Sequence, residues 1–148
     1  YRYINHGGAI ESIIKSLCNQ INYFVVWDND NIPLRKDIID IIYDKIKDKR
    51  TVLSNAVNSN HIHQNHQFAA ANAFSISSEL YKKLGEPHLG DMIKRSDTCE
   101  QVTFLCQELG YNVCLVYPTS CICCPIVSLI KRQSNYSHLA RMKIFIAI

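Results

Sequence analysis

The sequence predicts an α/β domain on three observations. Strand-like apolar segments alternate along the chain with amphipathic segments of helical period, glycines close two of the helical segments, and one short apolar run ends in paired aspartates ahead of a proline. The chain has 148 residues, 47% of them hydrophobic. That suffices for one core of ordinary size, so a single domain over residues 1–148 is expected.

Residues 1–4 alternate in strand fashion, and Asn5-His6-Gly7-Gly8 is a turn signal leading into a helix over residues 9–20, with Ile10, Ile13, Ile14 and Leu17 on one face. Tyr23-Phe24-Val25-Val26-Trp27 is a continuous run of aromatic and β-branched residues, as suits a strand covered on both faces. Pro33 has no N–H for a ladder, so the strand stops before it and Asp28-Asn29-Asp30 falls in a strand-to-helix loop. Asp37, Ile38, Ile39, Ile41, Ile42 and Ile46 trace an amphipathic helix, and residues 51–57 read as the next strand. The polar stretch 58–66, with His61, His63 and His66, is a loop. Residues 68–76 are small and apolar, residues 77–84 are helical and stop at Gly85, and 86–94 form a loop. Ser96 is the expected N-cap of a helix over 97–109 that Gly110 closes, and 111–117 is a strand. Residues 120–132 are apolar and cysteine-rich, and 136–148 fit either a helix or a last strand. Internal repeats and low-complexity linkers are absent from the sequence.

Charged residues make up 20% of the chain and the formal net charge is +3, a balance that gives no reason to expect a nucleic-acid partner. The seven cysteines, Cys18, Cys99, Cys106, Cys114, Cys121, Cys123 and Cys124, are odd in number and lie mostly inside apolar segments. Reduced core thiols of a cytoplasmic protein account for them better than a disulfide framework does. No apolar run reaches the roughly 18 residues of a membrane span, and the first residues do not read as a signal peptide. A zinc site built from His61, His63 and His66 with Cys121, Cys123 and Cys124 is disfavoured, because adjacent thiols lack the spacing that converges on one ion. Lys94, Arg95, Lys131, Arg132 and Arg141 read as a solvated face, and Trp27 as a core residue.

Two aspartates one residue apart at the end of a buried strand can face a crevice together and share a hard divalent cation, whose open positions then take diphosphate oxygens. Asp28 and Asp30 are candidates for that role, with side-chain-built turns as the plainer alternative. The run from Asn5-His6-Gly7-Gly8, through a helix, to Tyr23-Phe24-Val25-Val26-Trp27-Asp28-Asn29-Asp30 and Pro33 resembles the family 2 inverting glycosyltransferases of the GT-A fold. In that family an Asn-x-Gly turn opens a helix, an apolar strand follows, and the strand ends in Asp-x-Asp. Downstream, Asn72 to Gly85 is similar to the family's acceptor-side segment ending in Leu-Gly. Asp97 to Gly110, with Tyr111-Asn112-Val113, is similar to the helix carrying the catalytic acid and the Gly-Tyr-x-Val strand.

The resemblance implies a three-layer α/β/α sandwich of Rossmann-like type with a mostly parallel sheet. It implies further that this chain is the C-terminal portion of a GT-A domain, with a nucleoside-binding strand-helix-strand half preceding Tyr1. The activity it implies is sugar transfer from a nucleotide-sugar donor to a glycan, lipid-linked or protein acceptor. Asp28, Asp30 and Asn5 would meet the donor diphosphate, with Asp28 and Asp30 holding Mn²⁺ or Mg²⁺. The base falls to Asp97 first, then Glu100, then Asp91, because Ser96-Asp97 stands where the family has Glu-Asp.

The run from Val25 to Pro33 also resembles the first strand of NYN-type ribonuclease domains, PIN-like proteins whose Asp-x-x-Asn-x-Pro loop begins a metal-dependent site. RNA would then be the partner, with Asp97 in the second acidic element. A non-catalytic nucleotide-binding module is the third reading, since the acid-bearing helix departs from the family pattern.

Overall fold

Strand β1 (Tyr23–Val26) is buried along its whole length, and its side chains alternate between two apolar clusters, Phe24 and Val26 in one, Tyr23 and Val25 in the other. The first cluster takes Ile10 and Ile14 from helix α1 (His6–Leu17), Leu80 and Tyr81 from helix α3 (Ser78–Lys83), and Val102 and Cys106 from helix α4 (Glu100–Glu108). The second takes Ile42 and Ile46 from helix α2 (Ile38–Ile46). Helices thus cover both faces of the sheet, and Trp27 packs partly buried on the α2 side. This computed structural model describes residues 6–28, 35–59, 66–90 and 97–117, and the backbone of a strand at 144–147. The strand expected at residues 1–4 and the cysteine-rich stretch 120–132 lie outside the described residues, as do His61, His63, Lys94, Arg95, Lys131, Arg132 and Arg141.

The remaining strands are β2 (Thr51–Asn58), β3 (Gln67–Ala69), β4 (Ser75–Ser77), β5 (Asn112–Val116) and β6 (Ile144–Ala147). They run in the order β3-β2-β4-β1-β6, with β5 paired to β2. Among the described residues the sheet is not the mostly parallel one that the resemblance implies. β1 with β4, β2 with β4 and β2 with β3 are antiparallel pairs, while β1 with β6 and β2 with β5 are parallel. The reason lies in residues 67–77, where two short strands flank a 3₁₀ turn (Ala71–Ala73) and no helix intervenes to carry a crossover. Ser75 pairs with Val25 on one side and with Leu53 on the other, so β4 is wedged between β1 and β2. The described fold is therefore mixed α/β, mostly antiparallel with two parallel pairs.

Element ends follow local chemistry. Gly85 and Gly110 have φ of +81° and +71°, the left-handed conformation that lets the chain leave a helix at low cost. Ser77 caps α3 by accepting the Leu80 N–H. Helix α4 starts at Glu100, three residues later than expected, because Thr98 and Cys99 form a turn in which Cys99 adopts a φ of +66°. Of the C-terminal stretch 136–148, residues 144–147 form a strand, and the rest lies outside the described residues. Among the described residues, no helix is long and apolar enough to cross a membrane.

Candidate functional site

Asp28 stands just past the carboxyl end of β1. Its backbone N–H donates to the Asn72 carbonyl at 3.2 Å, and the Val26 N–H to the Phe74 carbonyl at 2.7 Å, so the strand end is held against the 3₁₀ turn. The Asp28 side chain is 28% exposed, and its Oδ1 lies 3.1 Å from Nε2 of His6, the first residue of α1. β1 and the start of α1 therefore meet at a partly open carboxylate.

The start of α1 is fixed by residues 87–90. A Cβ on Gly7 would fall 2.2 Å from the Leu89 carbonyl oxygen and 2.6 Å from Gly90 Cα, so only glycine permits this approach. One turn on, Glu11 accepts the Leu89 N–H at 3.0 Å and the Lys15 ammonium at 2.6 Å, and its Oε2 lies 2.5 Å from His88 Nδ1. Burial pushes the Glu11 carboxyl up, but the bonds from Lys15 and Leu89 and the charges of His88 and Lys15 together hold it below its ordinary value. Tyr81 donates its hydroxyl to the Pro87 carbonyl at 3.2 Å, and the Cys99 N–H donates to the Leu89 carbonyl at 3.1 Å. Residues 87–90 thus join α1 to the start of α4.

Cys99 is fully buried, and its thiol is pushed up first by burial and then by the charges of Asp28 and Asp97. Such a thiol is no nucleophile. The end of β1 and the start of α4 are linked through contacts: Asp28 meets His6, the adjacent Gly7 lies against the Leu89 carbonyl, and that carbonyl accepts the Cys99 N–H.

Asp97 is partly exposed, and its Oδ1 accepts the Thr98 N–H at 2.7 Å. Its own N–H donates to Glu100 Oε2 at 2.6 Å. Glu100 is only 1% exposed, and its Oε1 lies 2.8 Å from His66 Nε2. The His66 ring is tilted over Phe104, with centroids 4.8 Å apart. Of the two carboxylates favoured as base, Asp97 meets solvent and Glu100 is enclosed.

Asn5, Asp30 and Asp91 lie outside the described residues, so the described part of the Asp-x-Asp pair is Asp28 alone. Among the described residues, no group of three or more His, Cys, Asp or Glu side chains could hold a metal ion. Asp28 fits one ligand position of a hard cation, being a partly open oxygen donor at a strand end, and such ions commonly leave several positions to water and phosphate oxygens. The sequence reading missed His6 as the partner of Asp28, and Glu11 and His88 as the clamp behind it. The spacing Asp97-x-x-Glu100 carries the one readable signal, that of a capping box. Comparison with known proteins gives no match to any family model, curated protein or solved structure.

Proposed function

We propose that the chain transfers a sugar from a nucleotide-sugar donor to a hydroxyl acceptor of glycan, lipid-linked or protein type. The reading rests on the likeness of residues 5–117 to the family 2 glycosyltransferases, and the observation that supports it best is the run of contacts from Asp28 through His6, Gly7 and Leu89 to Cys99, which links the end of β1 to the start of the helix that follows Asp97. A carboxylate at a strand end and a second at the start of a following helix are what an inverting displacement needs, one beside the donor diphosphate and one beside the acceptor.

In this mechanism Asp28 and Asp30 would hold Mn²⁺ or Mg²⁺, which when bound neutralises charge on the departing diphosphate. His6 keeps the Asp28 carboxylate oriented toward the strand end. Asp97 has Oδ1 committed to the Thr98 N–H, which leaves Oδ2 to take the acceptor's proton. General base catalysis of this kind contributes roughly 10²- to 10⁴-fold in rate.

The test uses the full-length protein. Nucleoside diphosphate release from UDP-glucose, UDP-N-acetylglucosamine and GDP-mannose is measured with Mn²⁺, for wild type, Asp28→Ala and Asp97→Asn. Wild type should turn over at least one donor and both variants should lose that activity; unchanged release in both removes the assignment. Clearance of RNA in Mg²⁺ without any sugar nucleotide would instead favour the ribonuclease reading. Thermal stabilisation by a nucleoside diphosphate with Mn²⁺ but no turnover would favour a binding module.

A further inference from the structure

We propose that Glu100 is a positioning residue: its enclosed carboxylate, held between the Asp97 amide and the His66 imidazole, fixes Asp97 at the Asp28 end of the sheet. The inference rests on Asp97 being the base in the proposed transfer, and deepens that reading.

The Asp97-x-x-Glu100 spacing alone would make Glu100 an ordinary capping residue, reaching back to an N–H at the start of a helix. Such a residue works best with its carboxylate in water, since burying a charge is costly unless it is paired. Glu100 departs from that pattern. It is 1% exposed, and each of its oxygens meets a different element, Oε2 the Asp97 N–H at 2.6 Å and Oε1 the His66 Nε2 at 2.8 Å. His66 precedes β3, and its ring lies against Phe104 of α4 and Phe68 of β3. Neither His66 ring nitrogen makes a hydrogen bond, so at 2.8 Å its attraction for the carboxylate is that of an ion pair, present when the ring carries a proton.

The rest of the corner makes the anchor necessary. Cys99 has a left-handed φ of +66° and makes no side-chain cap. Its N–H is bound to the Leu89 carbonyl, which orients the residue after Thr98 but not Asp97. The Asp97 backbone is therefore held from the α4 side by the Glu100 carboxylate and by the Glu100 N–H, which donates to the Asp97 carbonyl at 3.1 Å. Because Glu100 is itself trapped beneath His66, the anchor cannot swing into solvent. A base must lie within hydrogen-bond reach of the proton it takes, and a misplacement of about 1 Å can cost on the order of 10²-fold in rate.

If reach is what matters, a glutamine of the same length should serve and a shorter aspartate should not. Glu100→Gln and Glu100→Asp in the full-length protein are compared by amide hydrogen exchange and by nucleoside diphosphate release from UDP-glucose, UDP-N-acetylglucosamine and GDP-mannose with Mn²⁺. Glu100→Asp should speed exchange of the Asp97 amide by about tenfold or more while the Ile76 and Leu80 amides stay as protected as in wild type. Its kcat should fall by about 10²-fold, with the donor KM within about twofold. Glu100→Gln should keep the Asp97 protection and most of kcat. An Asp97 amide that exchanges at the wild-type rate in Glu100→Asp, or a Glu100→Gln variant as impaired as Glu100→Asp, overturns the proposal. Should wild type release nothing from any donor, the transfer reading falls by itself, and the exchange measurement alone decides whether Glu100 holds Asp97.

Discussion

The two faces of the sheet are built differently. Beneath α1, α3 and α4, the apolar cluster is continuous from Ile10 and Ile14 through Phe24 and Phe74 to Val102 and Cys106, and buried polar groups are stitched into it. The Thr103 hydroxyl accepts the Ala69 N–H at 2.9 Å, Tyr81 reaches Pro87, and Glu100 reaches Asp97. Beneath α2, a small cluster of Tyr23, Val25, Ile42, Ile46 and Leu53 is bordered by exposed ion pairs, Lys47 with Asp44 and Arg35 with Asp37. The comparison teaches where precision resides. The helical partner of Asp28, His6, belongs to α1 on the first face, so the site is tied to the larger cluster.

Matched truncations sharpen this contrast most. Ile14 and Ile46 are each 1% exposed, one on each face, and Ile→Ala in a core costs about 2–5 kcal/mol. Ile14→Ala should lie in the upper half of that range, because closely packed neighbours on all sides leave a cavity that cannot collapse. Ile46→Ala should lie in the lower half, since α2 can settle inward. Urea unfolding of both variants measures the difference, and a larger loss for Ile46→Ala would break the comparison.

Gly7→Ala is next in size. A Cβ 2.2 Å from the Leu89 carbonyl must push backbone aside, and overpacking of this kind costs about 1–3 kcal/mol. Because residues 87–90 bridge α1 and α4, the displacement should also appear as faster amide exchange at Leu89 and Cys99. A variant as stable as wild type, with both amides still protected, would mean that the bridge does not constrain the site.

How much of this was legible varies with the physical origin of each feature. β1 declared itself because an unbroken apolar run before Pro33 has few alternatives to a buried strand, and the glycines after α3 and α4 declared themselves through the left-handed exits they provide. β3 and β4 did not, because Gln67, Ala69, Ser75 and Ser77 carry little strand propensity; β4 is selected by the narrow space between β1 and β2, and β3 by the open edge of β2. The antiparallel character of the sheet went unread for the same reason. Asp28 was legible from its place at a strand end. The company it keeps was not, since His6 and Asn72 reach it through contacts between distant segments that leave no local pattern.

The acid limb of stability separates a clamp from an ornament. Glu11 and Glu79 are both held below the ordinary carboxylate value of 4.5, and Glu79 is held lower, at about 2, by bonds from Lys49 and Lys83. A depressed carboxyl contributes stability that is whole above pH 4.5 and fades as the pH falls through its folded value. On that count alone Glu79 would matter more. Yet Glu79 and its lysines are in solvent, where salt screens the attraction and ordering long side chains offsets it, whereas Glu11 is mostly enclosed and bonded to backbone at Leu89. Glu11→Gln should therefore flatten the loss of stability below pH 4.5, as followed by urea unfolding at stepped pH. Glu79→Gln should leave the curve nearly unchanged at about 0.15 M salt. If the effects are reversed, the exposed ion pairs contribute more than the site-side clamp, and the account of where this fold is rigid is wrong.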